Sequence, residues 1–161
     1  MCLICDGWTW EEVLARHREV IEQHGWTIQF VEGHPGRPSF AYTVGLTRFH
    51  DHPELLVSGT CERDAAVVLD PLAQHVRDGH RFTAGDVIAS VSPHRYRLVR
   101  VNDPRHLAVA QLVYGQRGAT PVPGLQVVWS NHDGQWPWDP AWADGRRRQP
   151  LFGHTRWPGR R

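Results

Sequence analysis

Residues 9–46 carry the pattern that most restricts the fold: a self-capped amphipathic helix running directly into two alternating strands. Thr9-Trp10-Glu11-Glu12 has the form of a capping box, in which Thr9 caps the helix and Glu12 returns a hydrogen bond to it. Trp10, Val13, Leu14, His17, Val20, Ile21 and His24 follow at helical spacing, and Gly25 supplies a left-handed stop. The alternation then switches to period two. Residues 26–32 place Trp26, Ile28 and Phe30 on one face, the Gly/Pro cluster at 33–38 turns the chain, and residues 39–46 group Phe40, Tyr42, Val44 and Leu46. A helix followed by a hairpin is predicted.

The rest of the chain adds short elements of both kinds. Strands are expected at 54–58, 87–91, 95–101 and 125–129, and a helix capped by Thr60 carries Ala65, Val68, Leu69, Leu72 and Val76 toward Gly79. Pro71, preceded by Asp70, predicts a kink or a division of that helix. Asp103-Pro104 opens a third helix through Leu107, Gln111 and Tyr114 to Gly115. Residues 135–161 read as a Trp- and Pro-rich wrap holding four of the eight Trp. With no regular βαβ alternation, the fold class is α+β: one domain over 1–153, a mostly antiparallel sheet packed by about three helices, and a basic tail at 154–161.

Composition bounds the setting. No apolar run reaches the roughly 18–20 residues needed to span a bilayer, and the N-terminus lacks the pattern of a secretion signal, so a soluble, cytoplasmic protein is expected. Three cysteines in a reducing compartment are thiols or metal ligands and not a disulfide framework. All 18 basic residues are Arg; six lie in 146–161 beside no acid, leaving −5 on residues 1–145. Such a tail can meet an acidic partner, but a solvated terminus is the ordinary outcome and nucleic acid is not the expected partner. Without Lys, Schiff-base chemistry is excluded, and neither a phosphate-binding Gly-Lys-Ser/Thr loop nor a His-Glu-x-x-His zinc motif occurs.

Several constellations remain. Cys2-x-x-Cys5 is spaced to chelate one ion, zinc or another transition metal, if folding supplies Cys61 and an imidazole such as His52. His50-Asp51-His52-Pro53-Glu54 packs imidazoles and carboxylates between two strands, suited to metal binding or acid–base work. Tyr42 and Thr43 lie just before it, and Gly45 lets another backbone or a flat ligand approach closely. Trp129, Trp136 and Trp138 with Asp139 can line an aromatic pocket or lid the core.

His24-Gly25-Trp26, Pro38 through Leu46, His52-Pro53-Glu54-Leu55, Gln126 through Trp129 and Trp136-Pro-Trp-Asp139 together resemble the bacterial family called domain of unknown function 4262, over most of residues 2–153. Members from GC-rich actinobacteria begin with a similar Met-Cys-x-x-Cys-Asp, but continue with His-Pro where this chain has Gly7-Trp8, which weakens any metal site carried over by analogy. The family name confers no activity. Three readings stand, and they do not decide whether the protein is an enzyme. The first is a module binding a small molecule or protein through Tyr42, Thr43, His50, His52, Glu54, Trp129, Trp138 and Asp139. The second is a metalloprotein using Cys2, Cys5, Cys61 and His52. The third is a non-catalytic interaction protein.

Overall fold

The computed structural model describes residues 7–89, 94–115 and 118–154. Helix α1 spans Trp10–His24, and its capping box is formed at both hydrogen bonds: the Thr9 hydroxyl accepts from Glu12 N at 3.3 Å and the Glu12 carboxylate from Thr9 N at 2.7 Å. Gly25, at φ 91°, ends the helix in the left-handed region and donates to the Ile21 carbonyl.

Six strands form one sheet: β1 Thr27–Val31, β2 Phe40–Val44, β3 Glu54–Ser58, β4 Val87–Ala89, β5 Arg95–Arg100 and β6 Gly124–Trp129. Their order is β1-β2-β3-β6-β5-β4. Every neighbouring pair is antiparallel except β3 and β6, which run parallel with Glu54 opposite Gly124. The expected α+β class and mainly antiparallel sheet are present, with one parallel pair at the centre. That pair requires a long crossover, supplied by everything between residues 59 and 123.

Both faces of the sheet are covered. Helix α3, Glu62–Arg77, turns Ala65, Leu69, Leu72, Ala73 and Val76 onto one face, where they meet Ala41, Leu55, Val57, Leu125 and Val127. On the other face α1 and α4, Ala108–Tyr114, bring Ile21, Val109 and Ala110 against Phe40, Tyr42, Val44 and Leu56. The period-two alternation of β2 assigns these sides. Leu46 departs from the expected Phe40-Tyr42-Val44 set. The strand stops at Val44, Gly45 turns the chain, and Leu46 begins a short helix, α2 Leu46–His50, that buries it on the α3 side.

Three details of the helices differ from expectation. The cap of α3 is Cys61, whose Sγ accepts from Asp64 N at 3.5 Å, and Pro71 does not divide the helix, which continues as one element to Arg77. Asp70 is committed elsewhere, accepting from the Trp26 indole at 3.1 Å. Pro71 cannot donate to the Val67 carbonyl, and the missing helix bond falls at a residue that is 67% exposed. The third helix begins as a 3-10 turn over Pro104–Leu107 before α4.

The C-terminal segment wraps the body as expected and is pinned by buried amides. Gln149, fully buried, both accepts from Trp129 N and donates to Trp129 O at 2.8 Å, extending the β6 ladder with a side chain. Gln126 does the same work from the sheet, donating to the Pro150 carbonyl at 2.7 Å and accepting from Phe152 N at 2.7 Å. A short helix, α5 Gly145–Arg148, precedes these contacts.

Candidate functional site

The densest polar cluster centres on Glu54, the first residue of β3, which is fully buried. Its carboxylate accepts four hydrogen bonds: from the Thr43 hydroxyl at 2.7 Å, and from the backbone N–H groups of Gly45, Leu46 and Thr47 at 3.0, 3.2 and 3.1 Å. The last three are among the donors that the start of a helix leaves unsatisfied, and α2 has no side-chain cap of its own. Glu54 supplies that cap from the neighbouring strand. Thr43 completes the join by accepting from Leu55 N at 2.9 Å. Burial pushes the Glu54 carboxyl up to about 7 against the four donors, which favour its ionised form.

His52 is equally committed. It is buried, its Nδ1 lies 2.7 Å from the Pro53 carbonyl, and its Nε2 accepts from Phe82 N at 3.0 Å. These partners specify the neutral ring with the proton on Nδ1, and burial holds the imidazole below its ordinary range. Neither nitrogen is available to a metal. His50, at the end of α2, keeps a buried Nε2 with no partner beside Gly25, and its pKa is lowered by burial and then by Arg77 and Arg81.

The remaining expected site residues do not converge on this cluster. Tyr42, paired with Leu56 and on the same side of the sheet as Glu54, is buried with its hydroxyl turned to α4, where it accepts from Val109 N at 3.0 Å; burial pushes the phenol up to about 12, with the nearby Glu54 adding to the shift. Trp129 lies at the far end of β6. The parallel register pairs Glu54 with Gly124, so Trp129 is displaced by five residues, about 17 Å along the sheet. There its indole donates to the Ser58 carbonyl and its ring packs on Trp142 at 5.4 Å. Trp138 stacks on Trp136 at 5.6 Å, and Asp139 accepts from Trp136 N at 2.6 Å. Trp129, Trp138 and Asp139 tie down the wrap.

Of the expected metal ligands, only Cys61 and His52 fall within the described residues, and they lie apart. Cys2 and Cys5 lie outside the described residues. Cys61 is exposed beyond one end of β3, whereas His52 precedes the other end, about 17 Å away. Among the described residues no group of three or more His, Cys, Asp or Glu is placed to hold an ion.

What the sequence did not reveal is a groove of about 610 Å³ between α3 and β4. Helix α3 lies mainly over β1, β2 and β3, so the β4–β5 end of the same face is left partly open. Val67, Pro71 and His75 form a second helical stripe beside the core stripe and wall the groove on one side. Val87, Ile88 and Ala89 wall the other side, and Leu72, Phe82 and Tyr96 are among the remaining lining residues. Val67 and Val87 are 67% and 51% exposed, an unusual state for large aliphatic side chains facing one concavity. Phe82 is fixed from behind by its bond to His52 and packs against the His80 ring at 4.4 Å. The i, i+4, i+8 set at 67, 71 and 75 was the one available signal.

The geometry defines an α+β domain with a doubly covered mixed sheet, a buried polar brace and an apolar groove at one sheet edge. The chain belongs to the family described as Domain of unknown function (DUF4262), whose family model matches residues 20–143. That span includes both the Glu54 cluster and the whole groove lining. No curated protein and no solved structure matches the chain. Among the described residues no helix is long and apolar enough to cross a membrane.

Proposed function

We propose that this protein is a binding module for a small, largely apolar molecule, taken up in the groove between α3 and β4. The observation that carries this reading is the apolar concavity itself, about 610 Å³ with Val67 and Val87 exposed on its rim. Its volume lies within the range of small-molecule sites. The reading moves the expected site away from Tyr42, Thr43, His52 and Glu54, because their polar atoms are engaged with the protein's own backbone and side chains.

Filling the groove tests it. Val68→Trp adds an indole to a partly buried lining position, and its expected result is loss of at least tenfold in affinity for an apolar fluorescent probe such as an anilinonaphthalene sulfonate, with the melting temperature little changed. Unchanged probe affinity in a folded Val68→Trp protein contradicts the reading.

A further inference from the structure

We propose that the ligand of this groove ends in a carboxylate, whose oxygens are held by His75 and His80 while its apolar body lies along α3 and β4. The proposal rests on the binding-module reading above and adds the chemistry of the ligand.

Among the described residues three lining side chains can hydrogen-bond, His75, His80 and Tyr96, and none that lines the groove is acidic. An imidazole offers at least one N–H in every protonation state, and the phenol offers an O–H. A carboxylate is the complementary group, since it only accepts and has two oxygens to share between donors. An ammonium group would meet no carboxylate among the described lining residues, and a hydroxyl brings one uncharged oxygen where a carboxylate brings two that share a negative charge.

The two imidazoles are also adjacent and held. Their ring centroids are 6.3 Å apart, and the backbone bond from His80 N to the His75 carbonyl, 2.9 Å, closes the turn that carries them. His80 rests on Phe82 at 4.4 Å, and Phe82 N is anchored on the buried His52. Because this turn brings the two side chains together before any ligand binds, less conformational freedom is lost when the ligand arrives. On the other side of this head group the lining is hydrocarbon: Val68, Pro71, Leu72 and Ile88. Affinity should therefore climb with chain length, by about tenfold for two added methylenes.

The test is titration of the isotope-labelled protein with sodium octanoate, 1-octanol and octylamine at neutral pH, following the amide signals of residues 80–89. Octanoate is expected to shift them and to bind at least tenfold more tightly than octanol, with octylamine weakest. In His75→Ala/His80→Ala, and in the bulkier His75→Leu/His80→Leu, octanoate is expected to fall to the affinity of octanol, which itself stays unchanged. Equal affinities for octanoate and octanol in the wild type, or preference for octylamine, overturn the carboxylate assignment and leave the groove standing. Absence of shifts in residues 80–89 with all three probes overturns the groove reading itself.

Discussion

Glu54→Ala is expected to destabilise the protein by about 4 kcal/mol or more, which for a chain of this size corresponds to a fall of roughly 10 °C or more in melting temperature. The substitution removes one side chain but orphans four donors: the Thr43 hydroxyl and the N–H groups of Gly45, Leu46 and Thr47. Each buried donor left without a partner costs about 1–3 kcal/mol, and water entering the vacated space recovers part of that sum. Helix α2 is too short to persist without its cap. Calorimetry or chemical denaturation checks the value; a loss under about 1 kcal/mol contradicts the role assigned to this residue.

The same residue predicts a pH signature. Its folded pKa, about 7, stands above its ordinary value of 4.5, so the proton is held more tightly in the folded state. The associated stability, on the order of 3 kcal/mol, is fully present below the ordinary value and is lost as pH rises through about 7. His52, held below its ordinary range by burial, gives the opposite slope, with stability lost on acidification. The difference between wild type and Glu54→Gln cancels the histidine contribution and should narrow between about pH 5 and pH 8.

Gly45→Ala is expected to cost about 3–5 kcal/mol, through two separable effects. Gly45 has φ +125°, a conformation that a residue with a Cβ adopts only under strain. A Cβ there would also stand 2.8 Å from Ile21 Cγ2, 2.9 Å from the Gly25 carbonyl oxygen and 3.2 Å from Trp26 Cα. Two of those three atoms are backbone and cannot turn aside. The end of α1 is what approaches Gly45 so closely. Unfolding curves decide: a cost below 1 kcal/mol would show that the α1–β2 junction yields easily.

What was legible in the sequence follows the range of each signal. Helix α1 was readable residue by residue because Thr9, Glu12 and Gly25 act within three or four positions of what they cap. Strand alternation likewise assigned Phe40, Tyr42 and Val44 to one face. Helix α2 escaped because the group that starts it, Glu54, belongs to the next strand. Pro71 misled for a related reason: Leu69, Leu72, Ala73 and Val76 pack well enough to carry α3 past it, while Asp70, the apparent cap, bonds Trp26.

Three of the polar residues read as a candidate site, Thr43, His52 and Glu54, bond within the protein itself. Thr43, His52 and Glu54 are exceptional because they are buried, but whether such groups face a ligand or their own backbone depends on the direction of donors contributed by other elements. Here those donors come from α2, β3 and the Phe82 segment. Beyond the helical stripe at 67, 71 and 75 the groove had no local signature, since it is the space left where α3 stops short of covering β4 and β5.

The Glu54 brace holds the fold, and we propose that binding belongs to the groove between α3 and β4. The most direct measurement is the affinity of folded Glu54→Gln for the octanoate or anilinonaphthalene probe, taken well below its melting temperature and compared with wild type and Val68→Trp. The account predicts a lowered melting temperature with wild-type affinity for Glu54→Gln, and lost affinity for Val68→Trp. A folded Glu54→Gln that loses the probe while Val68→Trp retains it would contradict that division.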